Sequence, residues 1–239
     1  LLNRAVEWGV IETNPLDPIK PIKETKNPII RYLTSEEEDR LFEALDLREQ
    51  RMRQKRASHN EWRLKRKLEP LPSLVDEPFT DYLKPLLIIA INTGLRKGEL
   101  LSLSWENVDF EHRLLRVEGH NSKTQIARYV PLNSAALRVL KLWRASGVSG
   151  NELVFAGREL HKPMDNIDTS WRNLVTEAKL RNFRFHDFRH TFASRLVMQG
   201  VELYTVAKLL GHQSLETTQR YAHLSPQHDA AAVEKLVAI

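Results

Sequence analysis

Helical periodicity runs through most of this chain and gives way only once to extended patterning, between residues 101 and 132. That confines it to a mostly α-helical α+β fold with one small three-stranded antiparallel sheet. The stretches Leu101 to Phe110, Leu114 to Glu118 and Ile126 to Leu132 predict three short strands, with His120 to Thr124 as the turn between the last two. Before them, Phe79 to Asn92 is apolar enough for a buried helix, ending at Thr93-Gly94. After them, helical spacing returns over Ser134 to Arg144, Thr169 to Leu180, Asp187 to Gln199, Tyr204 to Leu210 and Ser214 to His223, with Gly200 and Gly211 where helices should stop. With 239 residues, 41% of them apolar, the chain can bury one main core.

That core should open at Thr34, which can cap a helix while Glu37 closes a capping box; Leu41, Phe42 and Leu45 then form the inner face. Upstream, Leu2, Val6 and Val10 have helical spacing, and the four prolines between Pro15 and Pro28 read as a linker. Residues 48–78 look like a basic insertion, helical in part. Between Arg48 and Lys67 nine cations face only Glu49 and Glu61, a local charge of +7 in a chain whose total is +5. Such a run either solvates a helix face or touches a polyanion. In the tail, 225–239, Ala230, Val233, Leu236 and Val237 make a short apolar stripe suited to docking on a neighbouring copy.

There is no cysteine, so neither a disulfide nor a thiolate metal site can hold the fold, which suits a reducing cytoplasm. The longest apolar run, Pro85 to Ile91, is far short of the roughly 20 residues that span a bilayer. No signal peptide is evident, and a start at Leu1 suggests a fragment of a longer, soluble, cytoplasmic protein.

A handful of residues have chemistry to offer. Arg96 lies in a Gly94-Leu95-Arg96 turn with Glu99 three residues on, close enough to hold the guanidinium if a helix begins there; the same pair is often only a surface ion pair. His186 and Arg189 share a helix face, where an imidazole and a planar cationic fork could meet one phosphate. His186 and His190 also have the i, i+4 spacing of zinc ligands, but no third ligand follows. His212 comes just after Gly211, and Tyr221 nine residues later; an isolated helical tyrosine is ordinarily packing. Lys123 falls in the predicted turn, where lysines are ordinarily exposed.

The strings TGLRKGEL around Arg96, FHDFRHTFASRL around His186 and Arg189, and GHQSLETTQRYAHL around His212 and Tyr221 resemble the tyrosine recombinase (phage integrase) family, over about Asn27 to Leu224. The resemblance implies that residues 1–27 are a remnant of a core-binding domain plus linker and 28–224 a catalytic domain. It implies a site-specific DNA recombinase of phages or mobile elements. Alternatives are a housekeeping recombinase that resolves chromosome dimers or, further off, a type IB topoisomerase. Arg96, Arg189 and His212 would hold the scissile phosphate, Tyr221 attack it to form a 3′-phosphotyrosyl link, His186 take the tyrosine proton, and Lys123, in a hairpin, protonate the 5′-oxygen. The resemblance calls for no cofactor and no metal. Its partner would be double-stranded DNA, bound by a homotetramer that is monomeric in solution, with DNA-bending or directionality factors as accessories.

Overall fold

The structure, a computed structural model, describes residues 1–19, 30–118, 127–146, 152–157, 164 and 166–225. In chain order its helices are α1 (Leu2–Glu7), α2 (Ser35–Lys65), α3 (Leu83–Thr93), α4 (Lys97–Leu101), α5 (Ser134–Ala145), α6 (Asp168–Glu177), α7 (Asp187–Met198), α8 (Leu203–Leu210) and α9 (Glu216–Gln219). The strands β1 (Val108–Asp109), β2 (Leu114–Val117) and β3 (Arg128–Pro131) pair antiparallel in the order β1-β2-β3, with Leu115 opposite Val108 on one side and Val130 on the other.

The main core surrounds α3, a helix apolar on nearly every side, with Leu83, Leu86, Leu87, Ile89, Ala90 and Ile91 all buried. It packs against α5 and α7. At the start of α7, Trp171 of α6 meets Phe183, Phe185 and Phe188 at ring separations of 5.4–6.0 Å, an aromatic knot that fixes the turn before the helix. The buried Asp187 carboxylate tightens the same turn by accepting the Arg184 amide at 2.7 Å. A second, smaller core lies beyond it. There Ala193 and Val197 of α7 meet Val206 and Leu210 of α8 and the ring of Tyr221.

Several sequence expectations need correction. The stretch 101–110 is not one strand: Leu101 ends α4, a 3-10 turn covers Trp105–Asn107, and only Val108 and Asp109 join the sheet. Extended pairing persists at Ser104, which bridges to Leu153. The apolar alternation at Leu101, Leu103 and Trp105 mimicked a strand, while the Glu99 carboxylate, accepting the Arg96 amide at 2.8 Å, starts a helical turn just before it. The expected helix over 214–223 is instead α9 followed by a 3-10 turn, Ala222–Leu224, with Tyr221 at the junction. At the N-terminus only Leu2–Glu7 is helical.

The basic run continues the first helix. Residues 35–65 form one 31-residue helix, opened by the expected Thr34–Glu37 capping box, and about 46 Å long at 1.5 Å per residue. Its cations are largely committed. Arg48 clasps Asp81 and Arg51 clasps Glu177. Further out, Arg53 donates to the carbonyls of Leu74 and Glu77, Arg56 to Pro72 and Arg63 to Glu69, while Asn60 and the main chain of Leu71 exchange two hydrogen bonds. The proline-rich segment after the helix therefore runs back along it, and the arginines supply the donors its carbonyls need. No helix among the described residues is long and apolar enough to cross a membrane.

Candidate active site

Arg189 organises the site. Its side chain, 2% exposed, donates from Nη1 to the Gly94 carbonyl at 2.9 Å and from Nη2 to the Leu210 carbonyl. Those carbonyls lie two residues before Arg96 and two before His212, so one guanidinium draws together the ends of α3 and α8. Both ends turn through glycine. Gly94 (φ 63°) and Gly211 (φ 67°) sit in left-handed backbone, and a Cβ on Gly94 would come within 2.5 Å of the Phe192 ring.

Arg96 is half-exposed and stands at the start of α4, its Nη1 donating to Glu99 Oε1 at 2.9 Å. Glu99 is held from the other side by Arg128 of β3, in a two-pronged contact of 2.9 and 2.7 Å; Arg128 Nε also donates to the Leu209 carbonyl at 3.2 Å. Burial opposes ionisation of Glu99, but the Arg128 bond and charge, with Arg96, bring its pKa down to about 2. This acid is thereby a fixed anion linking the sheet, α4 and the end of α8. The Glu99–Arg96 contact was expected from the sequence; Arg128 was missed. Its only sequence signal was a cation in the strand of ARYVPL, and its partners are 29 and 81 positions away.

His212 is partly buried, with Nδ1 2.8 Å from the hydroxyl of the buried Thr218. Burial, then Arg189, Arg96, Arg220 and Arg128, push its pKa down to about 3. His186, at the start of α7 with part of its surface open to solvent, is also lowered, by the partial burial of its ring and by Arg189 and Arg96 against the opposing pull of Asp187. Arg189 itself is pushed down to about 9 by burial and by Arg96, and so stays charged at neutral pH. Arg96, His186, Arg189 and His212 thus share one electrostatic neighbourhood.

Tyr221 is 1% exposed, and its hydroxyl lies 2.7 Å from Nδ1 of His190, not on His186. Burial raises the phenol's pKa against the opposing pull of Arg189 and Arg220. His190, seen from the sequence only as a spacing partner of His186, is the contact most plainly missed: the i, i+4 pattern was legible, but its partner depends on which core α7 faces there. The two imidazoles meet edge to face, 5.1 Å apart. Lys123 and the predicted turn around it lie outside the described residues, as do residues 226–239 with the apolar stripe of the tail.

The family model described as "Phage integrase family" matches residues 31–228. The integrase of Salmonella phage P22 is 30% identical over 234 residues, covering 93% of this chain and 50% of that protein. The tyrosine recombinase XerC of Oceanobacillus iheyensis is 29% identical over 230 residues, 92% of this chain and 65% of the relative. Two solved structures share the fold: the catalytic domain of bacteriophage HP1 integrase (TM-score 0.56, 22% identity, 86% of this chain and 94% of that one), and the Tn1549 transposon integrase in complex with circular intermediate DNA (TM-score 0.63, 18% identity, 98% and 76%). The chain spans about half the length of the first curated relatives it matches.

Proposed function

The chain belongs to the phage integrase family, and on that premise we propose that it is the catalytic part of a tyrosine-type site-specific DNA recombinase that integrates or excises a phage or mobile element. One observation carries the reading. The buried cation Arg189 hydrogen-bonds only main-chain carbonyls among the described residues, with Arg96, His212 and a sequestered tyrosine around it. A buried charge without an acid partner is costly unless an anion completes the site, and a guanidinium fork suits two phosphate oxygens.

In this reading a DNA phosphodiester sits against Arg96 and Arg189, whose charges stabilise the pentacoordinate transition state. His212 is neutral at pH 7, with Nδ1 engaged by the Thr218 hydroxyl; in the tautomer whose proton is on Nε2, that nitrogen donates to a non-bridging oxygen. His186 lies at the rim of the same cationic neighbourhood. Tyr221 is the nucleophile, forming a 3′-phosphotyrosyl ester, and Lys123 protonates the departing 5′-oxygen. The ester conserves the backbone bond energy, so a second 5′-hydroxyl can reverse the attack on a new partner.

Similarity to the phage P22 integrase along 93% of the chain supports the mobile-element branch. The XerC relative, nearly as similar over 92%, supports a housekeeping recombinase as the second reading. Double-stranded DNA is the proposed substrate, with four protomers on two duplexes in the exchange. The test is incubation with a nicked suicide duplex carrying the attachment site, followed by a denaturing gel. A covalent protein–DNA adduct is expected, and Tyr221→Phe should abolish it while DNA binding persists; an adduct that survives the substitution would assign the nucleophile elsewhere.

A further inference from the structure

We propose that His190 is a catalytic residue of this site, the base that takes the Tyr221 proton as the phenolic oxygen attacks phosphorus, a role the family resemblance gave to His186. The inference rests on the recombinase reading above.

Its footing is geometric. Nδ1 of His190 stands 2.7 Å from the Tyr221 hydroxyl, and at 1% exposure the tyrosine has no route to bulk water as an alternative acceptor. His186 is exposed at the helix start and meets His190 edge-on rather than reaching the phenol. Arg189 and His190 are consecutive on α7, so their side chains diverge by about 100° around the helix. One points to the ends of α3 and α8, the other into the second core where Tyr221 lies.

The electrostatic surroundings fit a base that becomes stronger when substrate arrives. His186, Asp187 and Arg184 stand near His190 on its own side, and Tyr221 and Arg220 face it from the C-terminal segment. Burial, then His186, Arg220 and Arg184, outweigh Asp187 and lower its pKa to about 4, so at neutral pH the ring is uncharged and can accept a proton. A phosphodiester at Arg189 adds a negative charge beside those cations and raises that basicity.

The step balances. The Tyr221 O–H bond breaks with its proton passing to His190 Nδ1, and the electron pair forms the new O–P bond. The P–O5′ bond breaks, and its pair leaves on the 5′-oxygen, which is protonated by Lys123. In the reverse step the incoming 5′-hydroxyl returns its proton to the lysine, and the imidazolium returns its own to the departing phenolate.

Three measurements test this. First, the rate of adduct formation on the nicked suicide duplex is followed under single turnover for wild type, His190→Asn and His186→Asn. Asparagine keeps a hydrogen-bond acceptor near the position of Nδ1 but has no basicity. His190→Asn is expected to slow cleavage by about 10²- to 10³-fold with DNA affinity unchanged, a typical share for general-base catalysis, and His186→Asn by less. Second, the wild-type rate should rise with pH as His190 loses its proton, and His190→Asn should lose that limb of the profile, which a purely structural contact would not do. Third, nitrogen NMR of the imidazoles in the DNA-free wild type should show Nδ1 of His190 unprotonated and Nε2 protonated; this needs no variant to fold. A His190→Asn rate within threefold of wild type, or faster, would overturn the proposal and make the contact a resting clasp, as would a proton found on Nδ1. Failure of the wild type to form any adduct would instead reject the recombinase reading, leaving the NMR result to stand or fall by itself.

Discussion

Glu99 carries two arginines at once, and its protonation therefore reaches beyond one ion pair. Its side chain is only 15% exposed, and its pKa falls from an ordinary 4.5 to about 2. A depressed carboxyl contributes stability that is complete above the unfolded value and lost as pH falls through the folded one. For a shift of this size the contribution is on the order of 3 kcal/mol. Urea unfolding followed from pH 5 to pH 2 should show this loss, and Glu99→Gln should be less stable at pH 7 yet show a flatter slope over that window. An unchanged slope in the variant would mean that other acids carry it. Arg128→Lys should also slow adduct formation, roughly tenfold or more, since a lysine cannot span both Glu99 oxygens and the Leu209 carbonyl together. Motif strings made Arg96, His186, Arg189, His212 and Tyr221 legible as candidates in the sequence, because each sits in a short run with local spacing. The contacts of Arg128 and His190 with candidate residues were not legible, since their partners lie on segments that only the tertiary fold brings alongside.

At the scale of elements, periodicity read well wherever a helix buries one face against a core. The helices α3, α5, α6, α7 and α8 fall within a few residues of their expected bounds, as do β2 and β3. It read poorly where partners are main-chain carbonyls. The far half of α2 buries no residue beyond Glu49, so no apolar stripe announces what lies against it. What holds it is the set of donors from Arg53, Arg56, Asn60 and Arg63 to the segment 69–77. Such bonds contribute about 1 kcal/mol each, so the outer half of α2 should open separately from the core. Hydrogen exchange is expected to be slow for amides 41–49 and markedly faster for 55–65, and Arg53→Ala should widen the difference by releasing Leu74 and Glu77. Equal protection along the whole helix would contradict this. The turn at Gly94 makes the opposite case, a rigid junction. Gly94→Ala should destabilise the fold by more than about 1 kcal/mol, because left-handed backbone and the Phe192 ring both oppose a Cβ, and should misplace the carbonyl that Arg189 holds.

In the whole molecule the candidate site lies on the seam between two cores of unequal size. Helix α7 belongs to both: Phe188 is in the large core, Ala193 and Val197 are in the small one, and Arg189 and His190 fall between them. The small core is closed by Tyr221 itself, so the proposed nucleophile is also a packing residue, and admitting a phosphate to it means loosening α8 and α9. A cluster with so few buried side chains should open at lower free energy than the one around α3. Native-state hydrogen exchange should then show amides of α3 and α5 opening only with global unfolding, while those of α8 and 216–224 open in a smaller, earlier unit. Tyr221→Phe should leave that unit nearly intact, losing only the His190 contact, whereas Tyr221→Ala should destabilise it by about 3–5 kcal/mol, the usual range for removing a large buried ring. Duplex DNA should slow exchange in the same unit, since a phosphate fixing Arg189 also fixes the Leu210 carbonyl at the end of α8. Were α8 and α3 to exchange with the same free energy in the free protein, the two cores would be one cooperative body, and a phosphate would have to reach Tyr221 without a separate opening of the small core.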